Sequence, residues 1–137
     1  MAAAVDLFAC IDRALVVQPQ APAQLVSSGI SVHIGDPQIA GLIVPRSGLG
    51  HRKGLVMGNL VGVLDADYSG PLMISVWNRS GQGSEAIVIK PGDRIAQLIF
   101  LPVVRPLFRI VSEFSKDTAR GSGGFGSTGR ATKDPST

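Results

Sequence analysis

Leu72, Ile74 and Val76 alternate with Met73, Ser75 and Trp77. A period of two puts the first three on one face of an extended segment and the others on the opposite face, so the stretch reads as a half-buried strand. Similar signals recur along the chain. Val5 to Ile11, Leu15 to Val17, Gln24 to Val26, Ile30 to Ile34, Ile39 to Val44, Leu60 to Leu64, Ala86 to Ile89, Ile95 to Val104 and Phe108 to Val111 are short and either β-branched or alternating. Glycine, proline, asparagine or aspartate separates them, and the 17 glycines and 9 prolines of the 137 residues supply the turns. Short strands at close, turn-punctuated spacing predict an all-β sandwich, jelly roll or barrel. The helix signal is thin: one short helix near Ser47 to Lys53, or none at all.

The length suits one domain. Hydrophobic residues make up 45% and charged ones 17%, which excludes a disordered chain. The apolar balance fits either a β-rich core or a buried subunit interface. Net charge is +3, with the basic residues scattered singly. That pattern argues against a nucleic-acid stripe and suits an anionic small molecule. Cys10 is the single cysteine, so no intrachain disulfide forms and a reducing, cytoplasmic setting is expected. Cys10 reads as core filler. No apolar run reaches the roughly 18–20 residues of a membrane helix, and Met1 to Val5 lacks the basic start of a signal peptide.

From about Thr118 glycine, serine and threonine dominate, with Phe125 the lone aromatic. Glycine-rich backbone offers open N–H groups that suit an anion, and a lone aromatic there suits stacking on a ligand. The expected organisation is a β domain over 1–117, a flexible lid over 118–130 and a disordered tail over 131–137.

Two segments carry chemistry. Gly62-Val63-Leu64-Asp65-Ala66-Asp67-Tyr68-Ser69-Gly70 reads as a hairpin with catalytic side chains at its bend. Asp65 follows an apolar strand, is expected half-buried, and could orient and deprotonate a water. Asp67 and Ser69 read as turn residues that bond their own backbone. Upstream, Arg46 offers a planar donor fork, Ser47 a hydroxyl and Gly48 an open N–H, together a phosphate cradle. Asp6 and Gln97 each interrupt an apolar run. Each is either a paired core group or a site residue. His33 and His51 lack partners at zinc-ligand spacing. Magnesium carried by phosphates needs few protein ligands, and Asp6 could act on it through water. Neither a P-loop nor a Rossmann fingerprint is present.

In this order these pieces resemble the trimeric deoxyuridine triphosphatase (dUTPase) family, bacterial members above all. The resemblance runs from Ala3 to about Arg130 through five motifs. These are Ala3 to Leu7, Pro45 to Gly50, Gly62 to Gly70, Pro91 to Ile99 and Arg120 to Gly129. The resemblance implies a jelly-roll-like distorted β-barrel, a homotrimer with shared active sites and a Gly-rich C-terminal arm. It implies hydrolysis of dUTP to dUMP and pyrophosphate with Mg2+, limiting uracil in DNA and supplying dUMP for dTMP synthesis. Asp65 would activate the water. Arg46, Ser47, Gly48 and Gln97 would hold phosphates, and Asp6 would support the metal through water. Asn59, Gly62 and Met73 would read the uracil edge, and Tyr68 would pack under the deoxyribose. Arg120, Ser127 and Thr128 would bind terminal phosphates while Phe125 stacks on uracil. The sequence departs from the family pattern at Ala4, where the family has glycine, in the short stretch before that motif, and in a slightly enlarged loop from Ser80 to Glu85. The rivals are a dCTP deaminase on the same fold, a non-catalytic nucleotide-binding domain and a nucleic-acid module.

Overall fold

The structure, a computed structural model, describes residues 2–115, 118, 121 and 122. Among them the chain runs β1 (Val5–Phe8), β2 (Leu15–Val17), β3 (Gln24–Ser31), β4 (Ile39–Pro45), α1 (Ser47–Lys53), β5 (Leu55–Met57), β6 (Gly62–Leu64), β7 (Pro71–Asn78), β8 (Ile87–Ile89) and β9 (Arg94–Pro102). The strands form a four-stranded sheet in the order β1-β9-β4-β6, a three-stranded sheet β3-β7-β5 and a two-stranded sheet β2-β8. Every strand pair is antiparallel. This is a jelly-roll-like all-β architecture. Contacts divide the chain after Arg105 into a first unit holding all these elements and a second beginning at Pro106.

The alternation in β7 is realised: Leu72, Ile74 and Val76 are buried on one face. They join Leu7, Val17, Val26, Leu55 and Ile95 in one core. Burying each such side chain contributes about 1.5–3 kcal/mol. Asn78 holds the next position of that parity and is also fully buried. Its amide donates to Val17 C=O at 3.1 Å and Glu85 C=O at 3.4 Å, and its Oδ1 accepts the Ser80 N–H at 3.1 Å. The polar group is therefore paired, as burial requires.

The helix forms over the expected residues. Arg46 stays extended as its N-cap, the Gly50 N–H donates to Arg46 C=O at 2.8 Å, and Gly54 ends it at φ +80°. Left-handed backbone at that position favours glycine. Arg79 donates to Gly50 C=O at 3.3 Å and His51 C=O at 3.4 Å, satisfying carbonyls of the last turn.

Five expectations of the fold change. The two strands read on either side of Gly29 are one strand, β3, whose pairing with β7 shifts register between Ser27 and Ser31. Gly29 at φ +73° accommodates that irregularity instead of ending the strand. Second, the bend between Gly62 and Gly70 is not a hairpin. β6 pairs with β4, and β7 pairs with β3 and β5, so the bend crosses between sheets. Third, β5 appears where none was expected; Leu55 and Met57 are buried within it. Fourth, Phe108 to Val111 forms no strand, and Leu107, Phe108 and Ile110 are almost fully exposed. A strand persists only where a second backbone satisfies its polar groups. Cys10, expected in the core, is exposed, while its neighbour Ala9 is buried.

Candidate active site

The first cavity, of about 540 Å³, opens where β4 passes into α1. The register of the large sheet builds it. Asp6 on β1 lies opposite Gln97 on β9, and Gln97 lies opposite Val44 on β4. Two polar residues from distant segments thus meet beside the start of the helix, where Arg46, Ser47 and Gly48 complete the wall. Arg46 Nε donates to Asp6 Oδ1 at 3.1 Å, and Arg94 Nη1 donates to Asp6 Oδ2 at 3.2 Å. Gln97 Nε2 donates to Pro45 C=O at 3.0 Å. The two readings of Asp6 and Gln97 therefore coexist: each is paired, and each lines the cavity. Side chains of Arg46 and Asp6 are 30% and 32% exposed. A partly hydrated pair of this kind fixes orientation more than it stabilises the fold.

The second cavity, of about 240 Å³, gathers Asn59, Gly62, Asp65, Tyr68 and Met73 against apolar walls that include Ile43 and Leu72. Gly62 packs closely on β4: a Cβ there would stand 3.2 Å from the Ile43 Cβ. Leu60, at φ +65°, makes the tight turn that follows Asn59. Left-handed backbone at a leucine is costly and persists only where the surroundings impose it. Tyr68 Oη donates to Pro71 C=O at 3.0 Å. Its ring lies against Gly70, where a Cβ would come within 2.7 Å of the Tyr68 Cζ.

Asp65 is exposed rather than half-buried. It leaves β6 at the sheet crossing, beyond the strand pairing that buries Leu64. The main chain closes the turn, Tyr68 N–H donating to Asp65 C=O at 3.2 Å. Asp67 and Ser69 add no side-chain hydrogen bond among the described residues, contrary to their expected turn role.

The two cavities share no lining residue. Within one chain the cradle of Arg46, Ser47, Gly48 and Gln97 and the carboxylate of Asp65 belong to different cavities. Arg120, Phe125, Ser127 and Thr128 lie outside the described residues. Sequence reasoning passed over Arg52 and Lys53, which line the first cavity, and Arg94, which shares Asp6. Arg52 was findable, since it stands four residues after Gly48 on a helix and so shares its face. The partner of Arg94 lies 88 residues away and leaves no local signal.

The fold and the two cavities, one lined by Arg46, Ser47 and Gln97 and the other holding Asp65, define first a class: a jelly-roll-like β protein with a basic, polar cavity and a separate acid-bearing one. The dUTPase family model matches residues 1–129, and the chain belongs to that family. It is 56% identical over 128 residues to the deoxyuridine 5'-triphosphate nucleotidohydrolase of Psychromonas ingrahamii, covering 93% of this chain and 82% of that protein. It is 55% identical over 129 residues to the enzyme of the same name from Idiomarina loihiensis, covering 94% and 82%. Among solved structures, the Staphylococcus bacteriophage 80alpha dUTPase with dUPNHPP superposes with a TM-score of 0.79 at 28% identity, covering 95% of this chain and 88% of that one. A mutant dUTPase from phage phi11 of S. aureus, described as revealing the coordination of a structural Mg(II) ion, superposes with a TM-score of 0.70 at 26% identity, covering 85% and 87%.

Proposed function

We propose that this chain hydrolyses dUTP to dUMP and pyrophosphate by attack of water on the α-phosphorus, as one subunit of a homotrimer with shared active sites. The observation that carries the reading is the division of labour between the cavities. One offers a guanidinium, a hydroxyl and a carboxamide, the chemistry of a phosphate site. The other offers a small apolar cleft with an asparagine, a tyrosine and an acid, the chemistry of a nucleoside site with a general base.

Arg46, Ser47, Gly48 and Gln97 hold phosphates. Asn59 and the backbone at Gly62 and Met73 read the uracil edge, and rejection of a thymine methyl is part of the same assignment. A site built to hydrogen-bond a particular substrate group rejects analogues lacking it by roughly 10⁴–10⁵. Tyr68 lies under the deoxyribose and excludes a 2′-hydroxyl. Asp65 orients the water, takes its proton as the new P–O bond forms, and pyrophosphate leaves with the electron pair of the broken bond. Such a reaction asks the protein mainly for position and charge. Arg120, Ser127 and Thr128 are assigned to the terminal phosphates and Phe125 to stacking on uracil.

The same geometry supports shared sites. Cradle and base must meet around one substrate, yet one chain keeps them in cavities with no residue in common. Val5 on β1 and Val63 on β6, at the two edges of the large sheet, are 59% and 67% exposed. Apolar side chains on open edges call for cover by another copy.

Magnesium dependence is general in the family. Among the described residues no three His, Cys, Asp or Glu gather to hold an ion. Asp6 fits the lesser role of touching a substrate-held ion through water: its carboxylate faces the cavity, and each oxygen has acceptor capacity beyond its one hydrogen bond. When bound, the ion would neutralise phosphate charge. No helix among the described residues is long and apolar enough to cross a membrane; a cytoplasmic setting is part of the proposal.

The test is pyrophosphate release from dUTP, dCTP, dTTP and UTP with magnesium, wild type against Asp65→Asn. Release from dUTP alone, abolished by the substitution, supports the reading. Ammonia from dCTP, or dUTP binding without turnover, overturns it.

A further inference from the structure

We propose that Arg52 is a further phosphate-binding residue, engaging the part of the polyphosphate that departs as pyrophosphate. This rests on the assignment of the first cavity to phosphates.

Arg52 sits in the last turn of α1, four residues after Gly48. Helical side chains lean toward the N-terminus, over the residue one turn back. Here the lean is pronounced. Nη2 of Arg52 stands 3.1 Å from where a Cβ on Gly48 would be. The guanidinium occupies the space that the missing side chain leaves, and it lines the same cavity as Arg46, Ser47 and Gln97.

Charge bookkeeping favours a ligand role. Arg46 and Arg94 share the carboxylate of Asp6. Arg79 serves the helix carbonyls at Gly50 and His51. Among the described residues Arg52 pairs with no carboxylate, and the helix end it could serve is already served. A guanidinium is weakly hydrated, permanently charged and shaped for two phosphate oxygens. A polyphosphate carries several negative charges, whereas Arg46 enters the site already shared with Asp6.

The chemistry of the step selects the phosphates. In-line attack puts the water opposite the departing pyrophosphate, so with Asp65 on the water's side the cradle takes the phosphates on the leaving side. Those phosphates extend into the cavity that Arg52 lines. Arg52 thus stabilises the charge that develops on the leaving group. The same contact gives Gly48 a second reason to be glycine: a Cβ there would press on the guanidinium and shift it by a few tenths of an ångström.

The test compares ligands of increasing phosphate number. Binding of dUMP, dUDP and the non-hydrolysable analogue dUPNHPP is measured by calorimetry with magnesium for wild type, Arg52→Gln and Arg52→Lys. Pyrophosphate serves as a competing inhibitor. Loss of one charge-assisted contact predicts about tenfold weaker binding of the triphosphate analogue and of pyrophosphate by Arg52→Gln. Affinity for dUMP should stay within about twofold, and Arg52→Lys should recover part of the loss. A guanidinium that only packs the helix would weaken all ligands alike or none, and either result overturns the proposal. Arg46→Gln separates the two levels. If it too leaves phosphate binding intact, the cavity's assignment fails; if it weakens binding while Arg52→Gln does not, only the role of Arg52 fails.

Discussion

Arg46 and Asp6 are 40 residues apart in the chain and 3.1 Å apart in space, joined Nε to Oδ1 in the lining of the first cavity. Asp6 also holds Arg94 at 3.2 Å, so one carboxylate orients two guanidinium groups. Asn in place of Asp6 keeps the shape and removes the charge. The expected outcome is a KM for dUTP raised by a factor of roughly 3–10, because Arg46 is no longer held, with stability changed by less than about 1 kcal/mol. Steady-state kinetics and a melting curve check both halves. An unchanged KM would mean that Arg46 needs no such positioning.

Asp65 is exposed and outside the ladder, so its removal should leave the fold intact. Asp65→Asn should lower kcat by at least about 10²-fold, the contribution of a positioned general base, while dUPNHPP still binds. Single-turnover product formation together with analogue binding separates the two. Turnover at an undiminished rate would remove Asp65 from the mechanism.

Tyr68 and Gly70 form a second coupled pair, with the ring on the bare Cα and Oη bound to Pro71 C=O. Gly70→Ala should push the ring off this seat and relax discrimination against UTP several-fold, with a smaller change in kcat for dUTP. Tyr68 is the only tyrosine, so a labelled tyrosine gives one NMR signal that reports the displacement directly. A shifted signal with unaltered selectivity would sever the ring from sugar recognition.

What could be read from sequence was what local pattern decides. The period of two in β7 follows from pleating, whereas α1 left only a weak local signal, Gly54 at its left-handed end being the clearest part of it. Partner choice is not local. Gly29 could end a strand or bulge within one, and only pairing with β7 decides. The bend at Asp65 looks like a hairpin until β6 pairs with β4 instead of β7. Three residues of β5 are too few to show a period. The same holds for the site. Arg46-Ser47-Gly48 is contiguous and legible, whereas the row joining Asp6, Gln97 and Val44 exists only once β1, β9 and β4 are in register.

Asn78 tests the core apart from the chemistry. It sits at a buried parity position of β7 and ties Val17 C=O, Glu85 C=O and Ser80 N–H together. Asn78→Leu fills similar space but strands these groups, at about 1–3 kcal/mol for each that water cannot reach. A loss of roughly 2–4 kcal/mol is expected, read as a lower denaturation midpoint at unchanged m-value. Asn78→Asp sharpens the test. A protonated acid still donates to Val17 and accepts from Ser80, but an ionised one loses the donor and buries a charge. Burial raises the pKa of such an acid above its unfolded value, so folding favours the neutral form. The deficit relative to wild type should therefore be small in acid and widen as pH rises past the ordinary carboxylate range. A pH-independent deficit in chemical denaturation would show that the Asn78 side chain is hydrated, and that its hydrogen bonds do not bind β7 to β2.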